Sequence, residues 1–241
     1  VSRTLRLTAS TIAVLFAFLA TLVLAPPAEA SSRPIDITGY KVADQVFSAD
    51  GCRKITVSMT TKKQKDYKES SLDVDVTRKG NLANSLYSSN GKTLSRLQIC
   101  PWLDGLGKYT IGPADVWAGY TKRDSWGSYT DYKDYTDYTK KSFYVRGKAK
   151  ASLSSSRKGR TVTFTARAST VDFDWTGYKS YNPKSATLQV KSGKHWKTVK
   201  KVKLSKGKAT AKVSSSAKKQ YRFTFPKTTT RTGATSNTVK R

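Results

Sequence analysis

The chain of 241 residues carries 45 Lys and Arg against 16 Asp and Glu, a formal charge of +29, with one His, two Cys and one Met. A single His cannot supply a multi-histidine metal site or a histidine acid–base pair, and two Cys cannot make a four-thiolate zinc site or an iron–sulfur cluster. Apolar residues are 37% of the chain, and 19 of them crowd into the first 30 positions, which leaves little for a large enzyme core but enough for small, thin domains.

The chain opens with Arg3 and Arg6, then a largely apolar run from Ile12 to Ala25, then Pro26-Pro27 and Ala28-Glu29-Ala30. A basic start, a short hydrophobic stretch and a small-x-small site predict a secretory signal peptide over 1–30, cleaved after Ala30. The run of 14 residues is shorter than the roughly 20 needed to span a bilayer. No later segment is apolar enough to do so, and no membrane span is expected in the mature form. Export makes a disulfide the expected state of Cys52 and Cys100.

Composition shifts near Gly147. Residues 31–146 carry 19 basic and 13 acidic groups, whereas residues 147–241 carry 24 basic groups and only Asp172 and Asp174 as acids. Two domains, 31–146 and 147–241, are expected, each of the size of a β-sandwich. Apolar residues alternate with polar ones at Ile55/Val57/Met59 and Leu72/Val74/Val76; Leu94, Leu97 and Ile99 lead into Cys100, and Phe143-Tyr144-Val145 closes the first half. In the second half the same alternation runs through Val162/Phe164/Ala166/Ala168, Ala186/Leu188/Val190, Ala209/Ala211/Val213 and Tyr221/Phe223/Phe225. Period-two patterns bounded by Gly, Ser and Asn predict half-buried antiparallel strands, and the fold class is all-β. Ser192-Gly193-Lys194 and Lys206-Gly207 supply hairpin turns, and Val199-Lys200 breaks the alternation as a bulge does.

The stretch SATLQVKSGKHWKTVKKVKLSKGKATAKV, Ser185 to Val213, with Tyr221-Arg222-Phe223 after it, resembles an immunoglobulin-like module of secreted actinobacterial proteins. The resemblance covers residues 148–241 and implies a spacer or adhesive unit. Asp104-Gly105-Leu106-Gly107-Lys108-Tyr109 resembles the tyrosine corner of immunoglobulin folds. The family's second Cys would fall near Ile111, whereas this chain has Cys100 before the corner. Two immunoglobulin-like antiparallel sandwiches in tandem after a signal peptide are therefore expected, with the place of the disulfide relative to the family's inter-sheet bridge left open.

Two features carry functional expectations. In the second half, Lys191, Lys197, Lys201, Lys203, Lys208, Lys212 and Arg222 are expected to gather into one patch along a meander and to attract polyanions in a salt-dependent way. Lys outnumbers Arg there, which favours loose electrostatic contact over shape-specific phosphate recognition. For an exported protein the matching polymer is an acidic cell-wall polymer or glycan. In the first half, Trp117, Tyr120 and Trp126 precede Tyr129, Tyr132, Tyr135 and Tyr138 at intervals of three. That interval predicts a three-residue-per-turn path with the rings on one side, an aromatic loop for sugar or protein; a hairpin whose rings pack on its own sheet is the alternative. The interleaved Asp131, Asp134 and Asp137 lack the Gly turn and terminal Glu of a calcium loop. Asp172 and Asp174 at strand spacing read as counter-charges to nearby Lys, and His195 stands beside a turn. No nucleophile elbow, H-E-x-x-H pair or phosphate-cradling loop is present. A monomeric, non-catalytic secreted binding protein is expected, with no cofactor and no metal. A structural spacer, or an inhibitor that uses the aromatic loop on a protein partner, is the alternative.

Overall fold

The computed structural model describes residues 33–174 and 177–241; the signal-peptide expectation lies outside them. Arg33–Arg241 form one compact unit, and nearly all of it is strand. In chain order the strands are β1 (Ile35–Lys41), β2 (Gln45–Phe47), β3 (Arg53–Ile55), β4 (Ser58–Lys63), β5 (Tyr67–Arg78), β6 (Asn81–Ser88) and β7 (Leu97–Ile99). A single helical turn, α1 (Pro101–Asp104), precedes β8 (Gly107–Asp124), β9 (Gly127–Asp137) and β10 (Lys141–Gly147). Then follow β11 (Ala149–Lys158), β12 (Thr161–Val171), β13 (Tyr178–Ser180), β14 (Thr187–Ser192), β15 (His195–Lys201), β16 (Lys208–Ser214), β17 (Gln220–Phe225), β18 (Ala234–Thr235) and β19 (Val239–Lys240). The fold is all-β, built as immunoglobulin-like sandwiches. No helix among the described residues is long and apolar enough to cross a membrane.

Buried side chains fall into two cores. The first draws on Ile35 through Val145 and the second on Ala149 through Phe225. Around the first core one sheet runs β2-β10-β8-β5-β6, with β9 continuing along β8; its central order matches the G-F-C-C′ order of an immunoglobulin sheet. The opposite layer is the pairs β1-β4 and β3-β7. The alternation from Ile55 to Met59 spans two strands, because the chain changes partner between them: Ile55 pairs with Leu97, and Met59 pairs with Tyr40. Around the second core, β12 holds β11 on one edge and β16 and β13 on the other, facing a sheet of β15-β14-β17 completed by β18 and β19. The predicted inward residues Val162, Phe164, Ala166, Ala168, Leu188, Ala211, Tyr221, Phe223 and Phe225 are all buried.

Tyr109 forms the corner. Its hydroxyl lies 2.7 Å from Gly105 O and 2.8 Å from Asp104 O, so one proton serves both carbonyls. The Cys52–Cys100 disulfide is present. It lies one step beyond the Arg53↔Ile99 pair and clamps the end of the β3-β7 pair. Ile111, where the family's second Cys would fall, is fully buried in the core instead.

Along one edge β8 changes neighbour at Gly112-Pro113. Before it, Gly107–Ile111 pair with β10; after it, Ala114–Asp124 pair with β9. Pro113 has no N–H to give a ladder. Gly112 has φ 85°, and a Cβ there would stand 2.1 Å from Thr139 O, so only glycine lets the crossing chain approach this closely. Through Ala114–Tyr120, β8 lies between β5 and β9, and only the tip, residues 121–130, extends past β5 as a two-stranded arm.

Candidate functional site

The aromatic segment is the β8–β9 hairpin, and strand period governs it. Tyr135 pairs with buried Val116, Tyr129 with Lys122, and Asp131 with Tyr120, so these rings take the side of the hairpin that faces the core. Tyr135 lies there under the Arg33 guanidinium, 5.3 Å from its ring centroid, and its hydroxyl donates to Ile35 O. The Tyr120 hydroxyl donates to Asp131 at 2.8 Å. That bond is the main cause holding the Asp131 carboxyl below its ordinary value. Trp117 and Tyr132 take the other side. Their rings stack 4.3 Å apart at 12°, and they remain 40% and 43% exposed. Trp126 caps the tip at 96% exposure, and Tyr138 follows β9 at 71%. The expected single row of rings is therefore corrected. Side chains three residues apart on a strand point to opposite faces, and the Tyr series divides accordingly. The Asp triplet divides too: Asp131 and Asp137 lie on the core side and Asp134 on the outer side. The core side of β9 is half-buried from Asp131 to Tyr135 and the tip before it is exposed, so amphipathic rings occupy both faces and leave no period of two in the sequence.

The basic residues are also divided. The Ser205-Lys206-Gly207-Lys208 turn is tight, with Lys206 and Gly207 both at positive φ and Ser205 and Lys208 exchanging two backbone bonds of 2.9 Å. Both central residues at positive φ make a type I′ turn. Yet the turn does not join neighbouring strands: β15 pairs with β14 in one sheet, and β16 pairs with β12 in the other. Gly207 packs against the end of β12, where a Cβ would meet Ala168 O at 2.7 Å. The chain crosses the sandwich here, which corrects the expected meander. Lys191, Lys201 and Arg222 share the outer face of the β14 sheet. Lys208 and Lys212 stand on the opposite outer face. Lys197 pairs with core-facing Val190 at the open edge, and Lys203 lies in the crossing segment. The expected bulge is present as a register shift between Leu188 and Gln189.

On the β14 face, Arg222 lies over the Trp196 ring at 4.3 Å and its Nε donates to Gln189 at 2.8 Å. The β11-β12-β16 face is different. Pairing places Lys150, Lys158, Arg167, Lys208 and Lys212 outward among Ser152, Ser154, Ser156, Thr161, Thr163, Thr165 and Thr210. The only acidic side chains of residues 147–241, Asp172 and Asp174, both engage Lys179, at 2.8 and 3.5 Å. The Asp172 carboxyl is held low chiefly by its bond from Lys179. His195 is exposed and pairs with Ser192 across the hairpin. Among the described residues no group of three or more His, Cys, Asp or Glu is arranged to hold a metal.

Composition hid a third surface. Outward positions on β5, β8 and β9 hold Glu69, Asp73, Asp75, Asp115 and Asp134 beside Trp117, Tyr132 and, from β6, Tyr87. A groove of about 410 Å³ runs between Ser71, Asp73, Asp115, Trp117, Asp134 and Thr136. The signal was legible in part, since Asp73 and Asp115 interrupt buried Leu72/Val74 and Ala114/Val116. The register that sets Asp73 directly opposite Asp115 was not.

No protein-family model matches the chain, and no curated protein matches it. Among solved structures it is similar to a marsupial T cell receptor, at 12% identity and a TM-score of 0.23 over 87% of this chain and 62% of that one. It is also similar to extracellular domains 3–5 of Drosophila OTK, at 8% identity and a TM-score of 0.25 over 86% of this chain and 98% of that one. The chain thus spans about three-fifths of the length of the receptor structure.

Proposed function

We propose that this is a non-catalytic extracellular binding protein whose residues 147–241 associate with an acidic polymer of the cell envelope. One observation carries the reading. Lys179 takes both carboxylates of that segment, so the Lys and Arg on its two outer faces have no acidic side chain of their own segment left to pair with. Unpaired cations on sheet faces raise the local concentration of a polyanion and speed its encounter in a salt-dependent way. The disulfide supports an oxidising, extracellular setting. Hydroxyl side chains between the cations supply donors and acceptors to a sugar- or phosphate-bearing chain.

Sedimentation with purified bacterial walls, before and after chemical removal of their anionic polymer, tests this. Binding at low salt should fall by about tenfold or more when Lys150, Arg167, Lys208 and Lys212 are changed together to Gln. It should fall likewise on raising salt to about 0.5 M, where the Debye length shrinks to a few ångströms. Binding that ignores salt, or that persists undiminished on polymer-free walls, would overturn the reading. The 96% exposure of Trp126 favours a second contact at the tip of the arm, with sugar or protein. Trp126→Ala should then weaken retention while leaving its salt dependence unchanged.

A further inference from the structure

We propose that the protein self-associates head to tail, the acidic-aromatic outer sheet face of residues 33–147 in one copy docking on the β11-β12-β16 face of another. In a chain of +29 the first face stands apart. Glu69, Asp73, Asp75, Asp115 and Asp134 share it, and none of them takes part in an ion pair among the described residues. Their partners are hydroxyls: Tyr132 donates to Glu69 at 2.9 Å and Thr136 to Asp115 at 3.0 Å. Like charges directly opposite on neighbouring strands destabilise a sheet, and Asp73 stands directly opposite Asp115. A cation from outside removes that repulsion. Trp117, Tyr132 and Tyr87, at 40%, 43% and 49% exposure, add ring surfaces on which Lys and Arg settle by cation–π attraction.

The occupant follows from charge and spacing. Both surfaces are sheet faces with rows about 7 Å apart along the strands and neighbours about 5 Å apart across them. The acidic face carries a side-by-side pair, Asp73 and Asp115, flanked by single charges at Asp75, Asp134 and Glu69. The basic face carries a side-by-side pair, Arg167 and Lys208, flanked by Lys150 on one side and Lys212 and Lys158 on the other. Small Ser and Thr side chains between them keep the basic face low enough for a flat partner. At one end of that face Lys150 lies over the Tyr178 ring at 3.6 Å; on the β14 face Trp196 and the engaged Arg222 stand up. Because the two surfaces differ, the contact is heterologous and propagates into rings or open chains rather than stopping at a two-fold dimer. This revises the expectation of a monomer. The net positive charge of both copies opposes approach at long range, but salt near 0.15 M screens charges more than about 8 Å apart and leaves the contact pairs effective.

Sedimentation velocity of the purified protein at about 0.15 M salt, without any polymer, tests the proposal. Wild type should show concentration-dependent species larger than a monomer that disperse near 1 M salt. Asp73→Asn/Asp115→Asn/Asp134→Asn should lower the association constant by about tenfold or more, and Lys208→Glu/Lys212→Glu should do the same. Asp36→Asn/Asp50→Asn/Asp66→Asn changes net charge equally but lies off both faces, and it should associate as wild type does. Each face variant keeps one intact surface, so mixing the two should restore one-to-one dimers and nothing larger. Asp115→Asn alone should raise the melting temperature of the monomer, which separates loss of docking from loss of folding. Monomers throughout up to about 1 mM, wild-type association by the acidic-face variant, or no dimer on mixing would each overturn the proposal.

Discussion

Tyr109 joins a surface turn to the first core through one hydroxyl. The ring is fully buried beside Phe143, with centroids 5.5 Å apart, while the proton reaches the carbonyls of Asp104 and Gly105. Tyr109→Phe keeps the packing and strands both acceptors, so denaturant unfolding should show a loss of about 1–3 kcal/mol. Burial, the largest cause, pushes the Tyr109 hydroxyl up to about 12, and it pushes Tyr135 up to about 12 as well. The sign follows from which state holds the proton. Between about pH 10 and 12 the folded chain keeps these protons and the unfolded chain releases them. Their contribution to stability is therefore complete below pH 10 and is lost as pH rises toward 12. A tyrosinate absorbance titration should show exposed tyrosines ionising first. Tyr109 and Tyr135 should ionise later, together with loss of the β circular-dichroism signal. Smooth ionisation of all tyrosines near pH 10 with the fold intact would contradict this.

At the scale of strands, the sequence was most legible where one face is dry. Leu72/Val74/Val76 and Val162/Phe164/Ala166/Ala168 alternate because each second side chain enters a core, and that pattern is local. Partner choice is not local. Lys206-Gly207 is a correct hairpin turn whose flanking strands lie in different sheets, so the lysines after it left the patch that a meander would have made. Likewise the Tyr series gives no sign of which ring faces the core, since half-buried Tyr135 and exposed Tyr132 are the same residue type. The disulfide pairing followed from having two Cys, but its place at the end of β3-β7 required the register. That place predicts its effect. The bridge joins residues 48 apart, and in the chain-entropy model closing such a loop stabilises the fold by about 4 kcal/mol. Cys52→Ser/Cys100→Ser should lose most of that in denaturant unfolding. Amide exchange should quicken first at Arg53–Ile55 and Leu97–Ile99, the three-residue strands that it clamps. Uniformly faster exchange across both cores would place the bridge's effect elsewhere.

Over the whole molecule, two cores of unlike surface charge meet with no linker. Only Lys148 separates β10 from β11, and Gly147 is held by backbone bonds to Thr230 O and from Thr232 N. Phe173 packs on the first core, although it belongs by sequence to the second half. Arg146 is the charged pin of this junction. It is buried, stacks over Tyr144 at 4.2 Å, donates through Nε to Thr228 O at 2.8 Å and pairs with Asp44 at 2.6 Å. A joint this short transmits unfolding from one core to the other, so calorimetry should show one cooperative transition near neutral pH. Arg146→Ala removes a buried cation that ties β10 to the 226–231 segment, and it should separate the transition into two. Asp44→Ala should do less, since Asp44 is half exposed and Arg146 keeps Thr228 and Tyr144. Burial works to raise the Asp44 carboxyl, but the bonds from Arg146 and the Tyr144 N–H outweigh it and hold the group below its ordinary value. A depressed carboxylate contributes fully above its unfolded value, about pH 4, and its share is lost as pH falls through the lower folded value. Acid should therefore move the wild-type transition toward separation only as far as Asp44→Ala does, and only below about pH 4. In the Asp44→Ala protein the transition should lose that acid dependence. If the variant separates at the same pH as wild type, the pin does not work through this pair.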